Sequence, residues 1–126
     1  MSVEMLVLGG KRVAAAEGST YEVIEPASGR PMAEVARAGP EDARRAVEVA
    51  TRAFEEGAWP RTSARERGRL LTKASLLIRE RREELARLEA RNGGKPINAA
   101  RGEIDIVANV FEYWGGAANK IFGETI

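Results

Sequence analysis

Short stretches of alternating apolar and polar residues occupy the first part of the chain and predict two β-hairpins. Residues 5–8 and 11–14 flank Gly9–Gly10, and a glycine pair between apolar runs is typical of a two-residue turn that needs positive φ. Residues 20–24 and 32–36 form the second pair, joined by a segment rich in Pro, Ser and Gly. About half of the strand residues are polar, which predicts a sheet with one solvated face.

From residue 39 onward, apolar residues recur at the spacing of an amphipathic helix. Pro40 stands at a first helical position, and Glu41 and Asp42 follow it, where carboxylates favour the positive end of the helix dipole. The apolar stripe continues to Phe54. Gly57 is expected to end this helix in the left-handed conformation.

Two further helical segments are predicted downstream. Ser63 and Glu66 fit a capping box, in which side-chain oxygens accept the first backbone N–H groups of a helix. The apolar stripe is interrupted by the charged residues 79–82, so we expect a kink or a restart there and a helix end at residues 92–94. Another helix follows, from about residue 98 to residue 120, with a wide apolar face.

These elements predict an α+β chain that forms a single partial domain over residues 1–126. The β-hairpins occupy residues 1–38, and three to four amphipathic helices occupy residues 39–126. The last helix carries apolar bulk over nearly half of its circumference, including Phe111 and Trp114. Burial of apolar surface contributes roughly 25 cal/mol per Å². Apolar helix faces that no neighbouring element covers are therefore unfavourable. The pattern therefore indicates a part of a larger fold or one half of an oligomer.

The composition restricts the chemistry that the chain can perform alone. Its 20 Lys+Arg and 19 Asp+Glu give a net charge of +1, which excludes a strong overall field for nucleic acid. It has no Cys and no His, so thiolate nucleophiles, imidazole bases and most transition-metal ligands are missing. No apolar run approaches the roughly 20 residues of a membrane span, and the start lacks a basic leader, so we expect a cytoplasmic protein without a membrane partner.

A local excess of cations leaves a nucleic-acid interface as an alternative. Residues 61–91 hold ten Lys/Arg and five Glu. However, the Glu residues of this stretch are interleaved with Arg at three- and four-residue spacings, which is typical of a solvated, ion-paired helix face. The stretch also lacks a row of aromatic residues on which bases could stack. We therefore expect no nucleic-acid partner.

Three short motifs have structural explanations that are simpler than catalytic ones. In residues 93–96 a Gly-Gly-Lys run is followed by Pro, which offers no N–H to a phosphate, so a helix-ending turn is expected. Gly115 and Gly116 lack the strand–glycine–helix context of a dinucleotide site and indicate close backbone packing. Glu103 and Asp105 diverge by about 200° on a helix and cannot share one acid–base site.

The order and spacing of these motifs resemble the start of the aldehyde dehydrogenase superfamily. Each motif is weak alone, but eight in succession make a specific match that extends from about residue 6 to the end. The matching segments are residues 21–29, 33–36, 41–42 with 46–47 and 53–54, 59–61, 66–71, 88–89 with 92–96, 111–120 and 123–126.

The resemblance implies membership of an enzyme family that oxidises aldehydes to carboxylic acids with NAD or NADP, through a thioester on a Cys. The family's Cys nucleophile, Glu base, oxyanion-hole Asn and βαβ cofactor site all follow the matched stretch. We therefore expect an N-terminal fragment of the cofactor domain that binds no cofactor and carries no catalytic residue by itself. Its expected partner is the remainder of the enzyme or a second copy of the chain. A standalone, self-associating interaction module is the alternative.

The resemblance also assigns two kinds of site residue short of catalysis. The backbone carbonyls near Val23 and Asn92 correspond to places where some family members hold a structural monovalent cation. The last helix lines the aldehyde entry tunnel in the family, which points to Val107, Ala108 and Phe111. In both cases core packing is the alternative reading of these residues.

Overall fold

The structure, a computed structural model, describes residues 3–123. Those residues form five strands and four α-helices, with a short 3-10 turn before the second helix. The strands are β1 (Val3–Glu4), β2 (Leu6–Leu8), β3 (Lys11–Val13), β4 (Thr20–Glu25) and β5 (Arg30–Ala36); the helices are α1 (Pro40–Glu55), α2 (Ala64–Glu80), α3 (Arg82–Gly93) and α4 (Ile97–Ala117). The α+β class and the two predicted hairpins followed by helices are confirmed.

The chain divides after Arg61 into two compact units. The first contains all the strands and α1, and the second contains α2, α3 and α4. The unit boundary thus lies later in the chain than the change from strands to helices, because α1 belongs to the same unit as the strands.

In the first unit, the β2–β3 hairpin turns at a pair of glycines, as the sequence predicts. Leu6 pairs with Val13 and Leu8 with Lys11, so Gly9 and Gly10 form a two-residue turn. Their φ angles of 57° and 76° suit a primed turn, which only residues tolerant of positive φ adopt readily.

The second sheet of this unit has the strand order β1-β5-β4. β4 and β5 are antiparallel, as the hairpin prediction requires, whereas β1 runs parallel to β5, which the sequence did not indicate. The β4–β5 register shifts after Val23: Val23 pairs with Ala33, but Ile24 pairs with Pro31. Met32 is thus an extra residue on β5, and such a bulge is one of the few places where a sheet accommodates Pro.

Asp42 ties the segment after β3 to the start of α1. Its carboxylate accepts the backbone N–H of Gly39 at 3.0 Å and that of Ala16 at 3.1 Å, and its side chain is only 2% exposed. These two hydrogen bonds, that of Gly39 first, lower the pKa of the Asp42 carboxyl below its ordinary value. The sequence predicted only a favourable interaction between Asp42 and the helix dipole. The structure adds a tertiary contact of Asp42 with the segment after β3.

In the second unit, local sequence signals set the helix ends. The backbone N–H of Glu66 donates to Ser63 Oγ at 3.2 Å, which confirms the predicted capping box. The expected restart occurs at Arg81, between α2 and α3. Gly94 ends α3 with a left-handed φ of 68°, as expected for the glycine pair there.

Helices α2 and α4 meet at two glycines. A Cβ built on Gly68 would lie 2.5 Å from the carbonyl oxygen of Gly115, and a Cβ on Gly115 would lie 2.7 Å from Thr72 Oγ1. Both positions therefore exclude any side chain larger than hydrogen. The expectation of close backbone packing holds for Gly115, whereas a Cβ on Gly116 would meet nothing within 4 Å.

Several ion pairs link α2 and α3 to α4, in addition to those within single helices. Arg82 donates twice to Asp105, at 2.7 Å each, and Arg79 donates to Glu112 at 2.7 Å. Arg101 donates to Glu83 at 2.6 Å. Because these groups are partly exposed to solvent, we assign them a role in orienting α4 more than in stabilising it.

Two predicted helix ends were wrong. Gly57 does not adopt a left-handed conformation, and α1 already ends at Glu55 with Glu56 as its right-handed cap. A Cβ at Gly57 would overlap the carbonyl oxygen of Ala53, so close approach, not positive φ, requires glycine there. The last helix ends at Ala117, three residues before the expected Lys120.

The glycine contact between α2 and α4 can be tested with two matched substitutions. Gly68→Ala should destabilise the chain by about 1–3 kcal/mol, because the new methyl group meets backbone atoms that have no room to move. A Cβ at Gly102, which lies in α4, would meet nothing within 4 Å. Gly102→Ala should therefore stabilise the chain by about 0.5–1 kcal/mol. Urea denaturation measures the free energy of unfolding of both variants. Equal effects of the two substitutions would contradict the close contact.

A second prediction concerns the pH dependence of Asp42. Because the pKa of Asp42 is lowered in the folded state, its stabilising effect is fully present above the unfolded value of about 3.9 and is lost as the pH falls from there through the lower folded pKa. Asp42→Asn should therefore lower the melting temperature at neutral pH, with a difference from the parent chain that shrinks below about pH 4. Glu41→Gln, at the exposed neighbouring carboxylate, is the control and should change it little. A pH-independent difference would refute this assignment.

Candidate functional site

One side of α4 carries large apolar side chains that are open to solvent within the described structure. We call Ile106, Val107, Val110, Tyr113 and Trp114 the α4 apolar face. At 100° per residue these positions share an arc of about 120°. Their exposure runs from 40% at Val107 to 69% at Tyr113. Exposed contiguous apolar surface of this kind marks a contact with another molecule or chain segment.

The interior of the described chain contains only small side chains. The buried apolar residues are Ala15, Ala36, Ala86, Ala100 and Ala108. No Leu, Ile, Val, Met or aromatic residue within residues 3–123 is fully buried. Since burial of large apolar side chains is the main favourable term in folding, and residues such as Leu71, Ile78 and Ile104 are only partly buried, residues 3–123 realise that free energy incompletely.

The three residues predicted to line a substrate tunnel all lie on α4, but they differ in exposure. Val107 belongs to the α4 apolar face, and Phe111 is half-buried. Ala108 has no exposed surface and packs inside the second unit. The lining role stays a prediction for all three.

The two carbonyls predicted to bind a monovalent cation lie in different units. Val23 is in β4, directly before the register shift, and Asn92 is in the last turn of α3. The last four carbonyls of a helix lack intrahelical partners, so the Asn92 carbonyl is of a type that cations use. Among residues 3–123, no three Asp, Glu, His or Cys side chains come together as a metal site.

The Gly-Gly-Lys motif has the structural role that the sequence favours. Lys95 Nζ lies 2.7 Å from Glu89 Oε1 and also donates to Glu103. These two carboxylates, Glu103 first, raise the pKa of Lys95. The ammonium group is thus already neutralised. Asp105 pairs with Arg82 instead, so Glu103 and Asp105 diverge as predicted.

Comparison with known proteins identifies the family. A model of the aldehyde dehydrogenase family matches residues 13–126, which is most of the chain. This chain belongs to the aldehyde dehydrogenase family. The resemblance that the sequence motifs indicate is confirmed, including the match to the N-terminal part of the family's cofactor domain.

The relatives are similar in sequence over almost the whole chain. The mitochondrial aldehyde dehydrogenase family 2 member B4 of Arabidopsis thaliana is 41% identical over 100% of this chain and 24% of its own length. Betaine aldehyde dehydrogenase of Bacillus subtilis (strain 168) is 37% identical over 98% of this chain and 25% of its own length. The chain thus spans about a quarter of the relatives that it matches.

Solved structures agree with the sequence comparison. The NAD-dependent aldehyde dehydrogenase of Sinorhizobium meliloti superposes with a TM-score of 0.91 and 41% identity, over 98% of this chain and 25% of that one. A betaine aldehyde dehydrogenase from Staphylococcus aureus, solved in complex with NAD⁺, gives a TM-score of 0.92 and 36% identity over the same shares. The fold of the chain is therefore that of the aldehyde dehydrogenases.

Each helix within the described residues is too short or too polar to span a membrane.

The exposure of the α4 apolar face makes a prediction about substitutions. Ile106→Ser combined with Tyr113→Ser should change the unfolding free energy of the chain by less than about 1 kcal/mol, because both side chains are more than half exposed. Ala100→Leu should instead destabilise it by about 1–3 kcal/mol, since Ala100 has no exposed surface. Denaturant titration of the purified chain compares the two, and a large loss in the double Ser variant would show that the face is covered.

Proposed function

We propose that this chain acts as the N-terminal part of the cofactor domain of an NAD-dependent aldehyde dehydrogenase, in a whole enzyme that oxidises an aldehyde to a carboxylic acid. Its family membership supports this proposal. The similar structures of an NAD-dependent enzyme and of an enzyme holding NAD⁺ support the choice of cofactor.

The single observation that carries the proposal is the contrast between the alanine interior and the α4 apolar face. A chain whose large apolar residues point outward is suited to cover another surface rather than to enclose a site of its own. In the proposed enzyme, the helices pack against the nucleotide-binding sheet, and α4 contributes Val107, Ala108 and Phe111 to the aldehyde entry tunnel.

Residues 3–123 do not form a binding site for NAD by themselves. A strand-to-helix turn that holds a pyrophosphate needs free backbone N–H groups at the helix start. Between β5 and α1, Asp42 already accepts the N–H of Gly39, and Pro40 has no N–H. A second negative charge beside the Asp42 carboxylate would be repelled. We therefore place the cofactor contacts, with the Cys nucleophile and the Glu base, in the remainder of the enzyme.

The cation ligands belong to the same proposal. The carbonyl near Val23 and the carbonyl near Asn92 are each proposed as an oxygen ligand of a structural monovalent cation. The helix-end position of Asn92 supports its part, because the last carbonyls of a helix have no intrahelical partner. The cytoplasmic location remains a prediction, and relatives with mitochondrial names are among the matches.

The same exposed face favours a second candidate, a module that associates with another copy of itself. Two α4 apolar faces would each cover the other, with no remainder of an enzyme required. Light scattering on the purified chain separates the two functions. A discrete dimer or tetramer favours the self-associating module, and a monomer or a polydisperse species favours the enzyme part.

The main proposal can be tested with a chimaeric enzyme. This chain replaces the corresponding N-terminal quarter of the Bacillus subtilis betaine aldehyde dehydrogenase, to which it is 37% identical. We expect aldehyde-dependent NADH formation from the chimaera and none from the chain alone. Ile106→Ser combined with Tyr113→Ser should abolish most of the activity by disrupting the covered face, whereas Gly102→Ala should retain it. A folded but inactive parent chimaera, or turnover by the chain alone, would overturn the proposal.

A further inference from the structure

An open groove in the second unit lies between the N-terminal half of α2 and the C-terminal end of α4. Its volume is about 550 Å³, within the range of small-molecule sites. Gly68 and Gly115, at which the two helices approach most closely in the contacts described above, both line the groove. Thr72 stands beside this contact and donates its hydroxyl to the Gly68 carbonyl at 3.1 Å.

Among residues 3–123, every charged side chain that lines the groove is a cation. Arg65, Arg69 and Lys73 recur every four residues along α2, and Lys120 follows the end of α4. No Asp or Glu of this described range lines the groove. Four positive charges in one concave surface contrast with the near-neutral balance of the whole chain.

These four cations differ from most other cations of the unit, although Arg67 also donates to a backbone carbonyl, that of Thr62, rather than to a carboxylate. Arg79, Arg82 and Arg101 are each bonded to a carboxylate, and so is Lys95. Within residues 3–123, by contrast, the groove cations make no ion pair. An anion in the groove would therefore supply an ion-pair partner that these cations lack among the described residues.

We propose that this groove binds a phosphorylated small molecule through Arg65, Arg69, Lys73 and Lys120. The α2 cations extend over about 12 Å at 1.5 Å per residue, which leaves room for more than one phosphate group. Arg side chains bind phosphate oxygens in pairs, and the Asn119 amide adds a neutral donor. Leu76, 62% exposed at the end of the groove, offers an apolar contact for the organic part. This site is independent of the proposed enzyme function.

The test is calorimetric titration of the 126-residue chain with inorganic pyrophosphate at low ionic strength. The groove variant combines Arg69→Gln with Lys73→Gln. The matched control combines Arg81→Gln with Arg87→Gln, which also removes two positive charges from the same unit but at residues paired with Glu84 and Glu83. All four side chains are exposed, and circular dichroism verifies that the variants fold.

We expect saturable binding of one pyrophosphate per chain, weakened about tenfold or more in the groove variant and less than about twofold in the control. Equal weakening in both variants, or binding without a defined stoichiometry, would show only a general charge effect and overturn the proposal. A DNA duplex that binds the chain and displaces pyrophosphate would assign the groove to nucleic acid instead, which also contradicts it. Inorganic phosphate that binds as tightly as pyrophosphate, with the same loss in the groove variant, would support the site with a single phosphate group as its ligand.

Discussion

The close approach of α2 and α4 at Gly68 and Gly115 is the constraint on which the second unit depends. Because the two backbones nearly touch there, the carboxylates of α4 come within reach of Arg79 and Arg82. The same two glycines line the cationic groove, and the α4 apolar face lies on the same helix. The ion pairs and both candidate binding surfaces thus all involve the α2–α4 helix pair.

Features that depend on neighbours in sequence could be predicted from the residues alone. The glycine pair of the first hairpin, the Ser63–Glu66 capping box and the left-handed Gly94 all have local chemistry that leaves few alternatives. The restart at Arg81 followed from an interrupted apolar stripe. The succession of these signals was also specific enough to indicate the family, because spacing between motifs carries information that each motif lacks.

Features that depend on distant residues could not be predicted in this way. Nothing near Asp42 in the sequence shows that it accepts the N–H of Ala16, and a strand of two residues such as β1 has no periodicity to detect. On α4, apolar residues occupy both the packed and the open side, so the pattern alone could not separate Ala108 from Ile106. The groove was missed because interleaved charges in the sequence suggested that all the Arg residues were paired.

The alanine interior has a thermodynamic consequence for the chain in isolation. The heat-capacity increment of unfolding arises chiefly from apolar surface that water reaches only when the chain opens. Where alanine side chains are the only apolar ones fully hidden among residues 3–123 and larger ones are partly buried, that increment is reduced, and the curve of stability against temperature becomes shallower. Such a chain would unfold over a broad temperature interval, and its stability would fall little on cooling. A sharp calorimetric peak would arise only when another surface covers its exposed Leu, Ile and aromatic side chains.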